Sequence, residues 1–154
     1  MNNLFTLSNK CKVTLEDANI IEEKVFFNTT CTKRASIARR LADSATPELG
    51  YAKYIAIGDS NIPAQETDTT INEIQRQPIK TADTLLDENT VKVYARFPRF
   101  SASVWEAGLF LDQTATGING SSLLAHSVFP LEIVKDTDNV LTIEWTVSIV
   151  NVVV

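Results

Sequence analysis

The sequence predicts a mainly β chain, an antiparallel β-sandwich carrying one short N-terminal helix. Three observations lead there. From Leu141 to Ile149 the residues Leu141, Ile143, Trp145, Val147 and Ile149 alternate with Thr142, Glu144, Thr146 and Ser148, the period of a strand with one buried and one wetted face. Further short runs of β-branched and aromatic residues follow one another along the chain, separated by clusters of Gly, Pro, Asn and Asp. One stretch, after Asn28, instead repeats its apolar residues at intervals of three and four. With 154 residues, 44% of them hydrophobic, the chain suffices for one core and is short for two. The expected division is an N-terminal arm over 1–27 and a helix plus β-sandwich domain over 28–154.

In chain order, residues 1–12 are polar and unpatterned apart from Leu4, Phe5 and Leu7, and read as an arm or a weak strand. An arm bearing a Phe suits docking on a neighbour. Thr29 or Thr30 then serves as cap for a helix whose Cys31, Ala35, Ala38 and Leu41, with Ile37 alongside, share a face, while Lys33, Arg34, Arg39 and Arg40 cover the other. Arg39 and Arg40 also suit the helix C-terminal dipole. Pro47 and Gly50 stop it. Tyr54 to Ile57 reads as a fully buried strand, and 59–70, almost without apolar residues, as a loop hanging from the sheet edge. Ile71, Ile74 and Ile79 around Glu73 and Arg76 fit a turn of helix or an irregular strand. Thr90 to Phe97 alternates again, until Pro98 marks an edge or a bend. Ser103 to Leu111 is apolar on both faces, so a strand covered on both sides is expected, with Trp105 joining Trp145 as a core anchor. The 112–122 loop leads to a strand over Leu123 to Phe129, and a turn over 135–139 feeds the closing strand. That strand ends in Asn151, Val152, Val153 and Val154, an apolar end that invites pairing with another chain or with an edge of its own sheet.

Charge narrows the classes of partner. With 14 basic against 19 acidic residues the net charge is −5, and the pI of about 4.9 argues against nucleic acid, whose partners present a basic face. The N-terminus lacks a basic start followed by an apolar run, and no stretch reaches the ~20 apolar residues of a membrane span. A protein made and kept in a cytosol, or exported without a signal, is expected. Cys11 and Cys31 have no Cys or His neighbour at metal spacing and read as small reduced hydrophobes, with a disulfide between them as the alternative.

Each chemical motif has a plainer reading. Gly58-Asp59-Ser60 after a buried strand matches the letters around the nucleophile of one family of serine esterases. Such a serine needs a carboxylate-held imidazole, and the single histidine, His126, has no acid two or three residues before it. A turn after a strand is the reading adopted, with His126 on the outer face of its own strand. The loop carboxylates Asp83, Asp87, Glu88, Asp112, Asp136 and Asp138 lack calcium-loop spacing and read as solvated charge. Glu106 is different, because a Glu in an apolar strand is costly unless a cation or backbone donors satisfy it. The expected partner is Arg76, in a structural ion pair pinning the segment before the sheet onto the sheet. No catalytic residue, cofactor or metal site is expected.

The order of motifs carries a resemblance. Tyr54-Ile-Ala-Ile-Gly58-Asp, Asp68-Thr-Thr-Ile71-Asn-Glu73-Ile-Gln-Arg76, Trp105-Glu106-Ala-Gly108-Leu109-Phe110, Leu124-Ala125-His-Ser-Val-Phe129-Pro130 and Leu141-Thr-Ile-Glu-Trp145-Thr-Val-Ser-Ile149 follow one another. Together with the segment 28–42 they resemble a family of small tailed-bacteriophage virion proteins, short tail or collar fibre proteins and the anchoring domains of fibres, over roughly residues 25–150. The family's Gly-Thr-Gly or Gly-Asp-Gly turn is Gly58-Asp59-Ser60 here, so the loop conformation is expected to differ. The resemblance implies a non-enzymatic β-sandwich of the virion, assembled in the host bacterial cytoplasm, that joins neighbouring particle proteins at the neck, collar or tail. It implies a homo-oligomer, with a trimer favoured, whose contacts include Phe5, Val152, Val153 and Val154 and the two long loops. A capsid decoration protein or head fibre is the alternative. A carbohydrate-binding module ranks below both, since neither 59–70 nor 112–122 holds an aromatic residue.

Overall fold

The computed structural model describes residues 3–16, 21–27, 29–30, 54–65, 67–80, 90–110 and 123–153. They hold β1 (Asn3–Glu16), β2 (Ile21–Phe27), β3 (Thr29–Thr30), β4 (Tyr54–Gly58), β5 (Glu73–Pro78), β6 (Thr90–Phe97), β7 (Ala102–Phe110), β8 (Leu123–Lys135) and β9 (Val140–Val153). These strands form two antiparallel sheets, a first in the order β2-β1-β9-β6 and a second in the order β3-β8-β7-β4-β5. The chain among the described residues is therefore mainly β, without a helix.

Residues of both sheets meet in one buried cluster. Cys11, Val13, Val93, Ala95, Phe97, Leu141, Ile143 and Trp145 come from the first sheet, and Ile55, Ile57, Val104, Ala107, Leu109, Phe129 and Ile133 from the second. Trp145 has no exposed surface and stands opposite both Cys11 and Val93 in the registers of β9 with its two neighbours, so the indole is enclosed on every side. Trp105, expected as a second anchor, is only half-buried. It falls at the register shift between Val104 and Glu106, where β8 runs three residues longer than β7, and there it leaves the core face.

The two outer faces differ. On the first sheet Lys12, Thr14, Lys92, Tyr94, Thr142, Glu144 and Thr146 alternate with the core residues and stay partly exposed, and Lys92 reaches Glu144 at 3.3 Å. On the second sheet the outer face is buried too: Ala56, Phe110 and Leu123 pack there with Ile71 and Tyr54. This explains why β4 and the end of β7 read as uninterrupted apolar runs in the sequence.

The N-terminal residues do not stand apart from the sheets. β1 pairs with β9 from Asn3 opposite Val153 to Glu16 opposite Val140, and its second half, Lys10 to Glu16, pairs with β2. Thr29 and Thr30, expected to cap a helix, are instead β3, paired with His126 and Ala125, in keeping with the strand preference of β-branched residues. The rest of that expected helix, with Cys31, lies outside the described residues, as do Val154 and the 112–122 loop. Cys11 is a core thiol, and burial pushes its pKa far above the ordinary range.

Other expectations hold with changes of detail. β6 ends before Pro98 and is an edge of its sheet, and Arg99 turns the chain toward β7 at a left-handed φ of 56°. The 71–79 segment takes the irregular-strand alternative as β5, with a register shift at Ile57/Gly58. β8 runs on past Phe129 because Pro130, Leu131 and Glu132 bulge out to solvent between Val128, opposite Glu106, and Ile133, opposite Val104. The Lys135 side chain is buried over the Phe100 ring, 4.8 Å from its centroid. Its ammonium donates to the carbonyls of Phe100, Asp136 and Asn139, which fastens the β8–β9 turn, and burial lowers its pKa.

Candidate functional site

The polar groups that most need explaining lie together on the outer face of the second sheet. Glu106 on β7 is 1% exposed and stands directly opposite Gly58 on β4, while His126 on β8 stands opposite Gly108, two residues further along β7. Alternation therefore puts Glu106, Gly108 and His126 on one face. The two glycines leave the space the carboxylate and its cover occupy. A Cβ on Gly58 would collide with Oε1 of Glu106 and lie 2.5 Å from the Asn72 carbonyl, and one on Gly108 would lie 2.7 Å from the Phe110 ring and 3.2 Å from Ile71.

Segment 59–72 crosses this face rather than hanging from the edge. Ile71 is buried in the outer apolar cluster, and the backbone N–H of Asp59 donates to the carbonyl of Asn72 at 3.2 Å, closing the base of the loop. The Asn72 side-chain amide also donates to the Asp59 carboxylate. Within the loop, the Asp68 N–H donates to the Gln65 carbonyl at 3.0 Å and the Gln65 N–H to Asp68 Oδ2 at 2.8 Å, a compact turn.

Both carboxylates converge on one imidazole. Nε2 of His126 is 2.7 Å from Oε2 of Glu106, and Nδ1 is 2.7 Å from Oδ2 of Asp68. The second oxygen of Glu106 accepts the backbone N–H of Asn72 at 2.8 Å and that of Ser60 at 3.2 Å. A carboxylate accepts and does not donate, so satisfying both contacts requires a proton on each ring nitrogen, the imidazolium. Desolvation lowers the pKa of His126, but hydrogen bonds from the ring to Glu106 and Asp68 and their negative charge outweigh it, and the net shift is upward.

This arrangement corrects the expected ion pair. Glu106 is satisfied by His126 and two backbone donors, whereas Arg76 takes Glu73, with Nε to Oε1 at 2.9 Å and the terminal nitrogen to Oε2 at 2.6 Å. Its guanidinium also lies 4.3 Å from the centre of the Phe110 ring and 5.9 Å from that of Tyr54. β5 is thus pinned to the outer face through π contacts rather than through Glu106. His126 is on the outer face as expected, yet only 5% exposed, because the loop buries it.

In the imidazolium neither ring nitrogen has a lone pair to take a serine proton, and Ser60 turns its backbone to Glu106 while its hydroxyl accepts the Ile62 N–H at 3.3 Å. Among the described residues no group of His, Cys, Asp and Glu is arranged to hold a metal ion. Comparison with protein-family models, curated proteins and solved structures gave no match.

Residues distant in sequence meet here: Gly58 and Asp59, Asp68 to Arg76, Glu106-x-Gly108 and His126 build one cluster. What the sequence missed is the identity of the partners. Asp68 and Glu106 lie 58 and 20 positions from His126, and no local spacing signals that they meet.

Proposed function

We propose that this chain is a structural protein of a tailed-bacteriophage particle, a neck, collar or tail component that joins neighbouring proteins by surface complementarity and assembles with its own copies. In this reading the two sheets are the layers of a β-sandwich. The support from sequence is the ordered set of pieces resembling short tail and collar fibre proteins.

The observation that carries the assembly is the ribbon made by the two ends of the chain. β1 and β9 stay paired through Asn3–Val153, but among the described residues β2 accompanies β1 only from Lys10 onward and β6 accompanies β9 only up to Ser148. Residues 3–7 and 149–153 therefore continue as two strands, a ribbon about 17 Å long at ~3.4 Å per residue. A two-stranded ribbon is marginal alone in water, and among the described residues both of its edges are free to take added strands. Copies related by a symmetry axis would cover it. The non-catalytic part of the reading rests on His126, whose two nitrogens are both held by carboxylates.

Light scattering on the purified full-length chain tests this reading. A trimer supports a fibre or head-decoration role and a larger ring a neck role, whereas a monomer at micromolar concentration refutes the proposed assembly.

A further inference from the structure

The Asp68–His126–Glu106 chain does more than satisfy a buried acid, because its two halves differ in burial and in what they hold. The Glu106 side chain is 1% exposed and anchors the loop at both ends, through Ser60 and Asn72. The Asp68 side chain is 27% exposed and organises only the turn at the crest, through Gln65. A neutral imidazole carries one N–H and can satisfy one carboxylate. That proton stays on Nε2, since stranding the fully buried Glu106 costs more than stranding a carboxylate that water reaches. Nδ1 would then turn a lone pair toward Oδ2 of Asp68, an acceptor facing an acceptor.

We propose that these three residues form a proton-operated latch: the imidazolium holds the 65–68 turn against the second sheet, and loss of one ring proton releases that turn while Ser60 and Asn72 stay fixed on Glu106. The charged groups acting on the ring are Glu106 from β7 and Asp68 from the loop. On the other side β3 brings Thr29 opposite His126 in the register, and the nearby Asp59 and Arg76 are engaged with Asn72 and Glu73. The latch therefore responds to the protonation of a single histidine. It does not depend on the virion reading.

Because the chain has a single histidine, its ring proton resonances are assigned without ambiguity. Followed by NMR across pH 5 to 9, His126 should titrate above its ordinary value of 6.5, with the amide resonances of Gln65 and Asp68 shifting at the same midpoint and those of Ser60 and Asn72 holding still. In Asp68→Asn the side-chain amide can donate to the neutral ring, so the midpoint should fall and the turn should stay closed throughout. The latch is refuted by a midpoint at or below 6.5, by Gln65 and Asp68 amides that ignore the titration, or by the same opening in Asp68→Asn.

Discussion

Replacing Glu106 with Ala removes the acceptor for three donors at once: Nε2 of His126 at 2.7 Å, the Asn72 N–H at 2.8 Å and the Ser60 N–H at 3.2 Å. Breaking a buried ion pair by deleting one partner costs about 3–5 kcal/mol. The two amides lie at the margin of the loop, where water can reach them, so each adds less than the ~1–3 kcal/mol of a fully buried orphan donor. A loss of about 4 kcal/mol is expected, and at ~2–4 °C per kcal/mol for a chain of this size Tm should fall by about 10 °C. Glu106→Gln keeps an oxygen for the amides and should lose about half as much. Urea unfolding of both variants, with m-values compared to the parent, supplies the measurement. A double-mutant cycle identifies the partner: Glu106 with His126 should couple by about 1–3 kcal/mol, and Glu106 with Arg76 should be additive within about 0.5 kcal/mol. A loss below about 1 kcal/mol in Glu106→Ala, or strong coupling to Arg76, would refute the geometry argued above.

The remaining expectations concern packing. Gly58→Ala sets a methyl group against the Glu106 carboxylate and the backbone carbonyl of Asn72, and should cost about 1–3 kcal/mol in urea unfolding. Gly108→Ala sets a methyl group 2.7 Å from the Phe110 ring and 2.9 Å from Leu123, both fully buried, and should cost about 1–3 kcal/mol as well. Trp145→Ala should cost about 3–5 kcal/mol, as for other buried aromatics, and half-buried Trp105→Ala clearly less; equal losses would contradict the assignment of Trp105 to the register shift.

How much of this was legible in the sequence depends on the distance over which a feature is encoded. Alternation is local, and β6 and β9 were readable from it, as was the double burial of β4 and β7 from their largely apolar runs. β1 was legible only as an arm or a weak strand over residues 1–12: the alternation of Cys11, Val13 and Leu15 with Lys10, Lys12, Thr14 and Glu16 spans half of it, and pairing with β9 extends the strand over Asn3 to Glu16. Thr29 and Thr30 served two readings, cap or strand, and pairing with β8 decides for the strand. Glu106 was recognisable as a residue in need of a partner, because the cost of burying a carboxylate is a property of the side chain. Its partner was not recognisable, because the choice of His126 over Arg76 depends on the β7–β8 register, and that register shifts at two places.

The convergence of these residues has a physical cause in the way the second sheet is closed. Both faces of that sheet are buried, but only one faces the other sheet; the other has segment 59–72, which contributes Ile71 and otherwise scarcely any apolar side chain. A cover so poor in apolar surface gains little from burial at ~25 cal/mol per Å² and cannot be held by the hydrophobic effect alone. Directed bonds must do it, and a buried carboxylate is suited to the task because one side chain can accept from both ends of the loop and from a cation as well. The glycine opposite Glu106 and the glycine two residues beyond it then follow as steric conditions, since each yields the volume that the lock and the cover need. Gly58, Glu106, Gly108, His126 and Asp68 are on this account one device, and a substitution at any of them should loosen the same segment before it disturbs the core around Trp145.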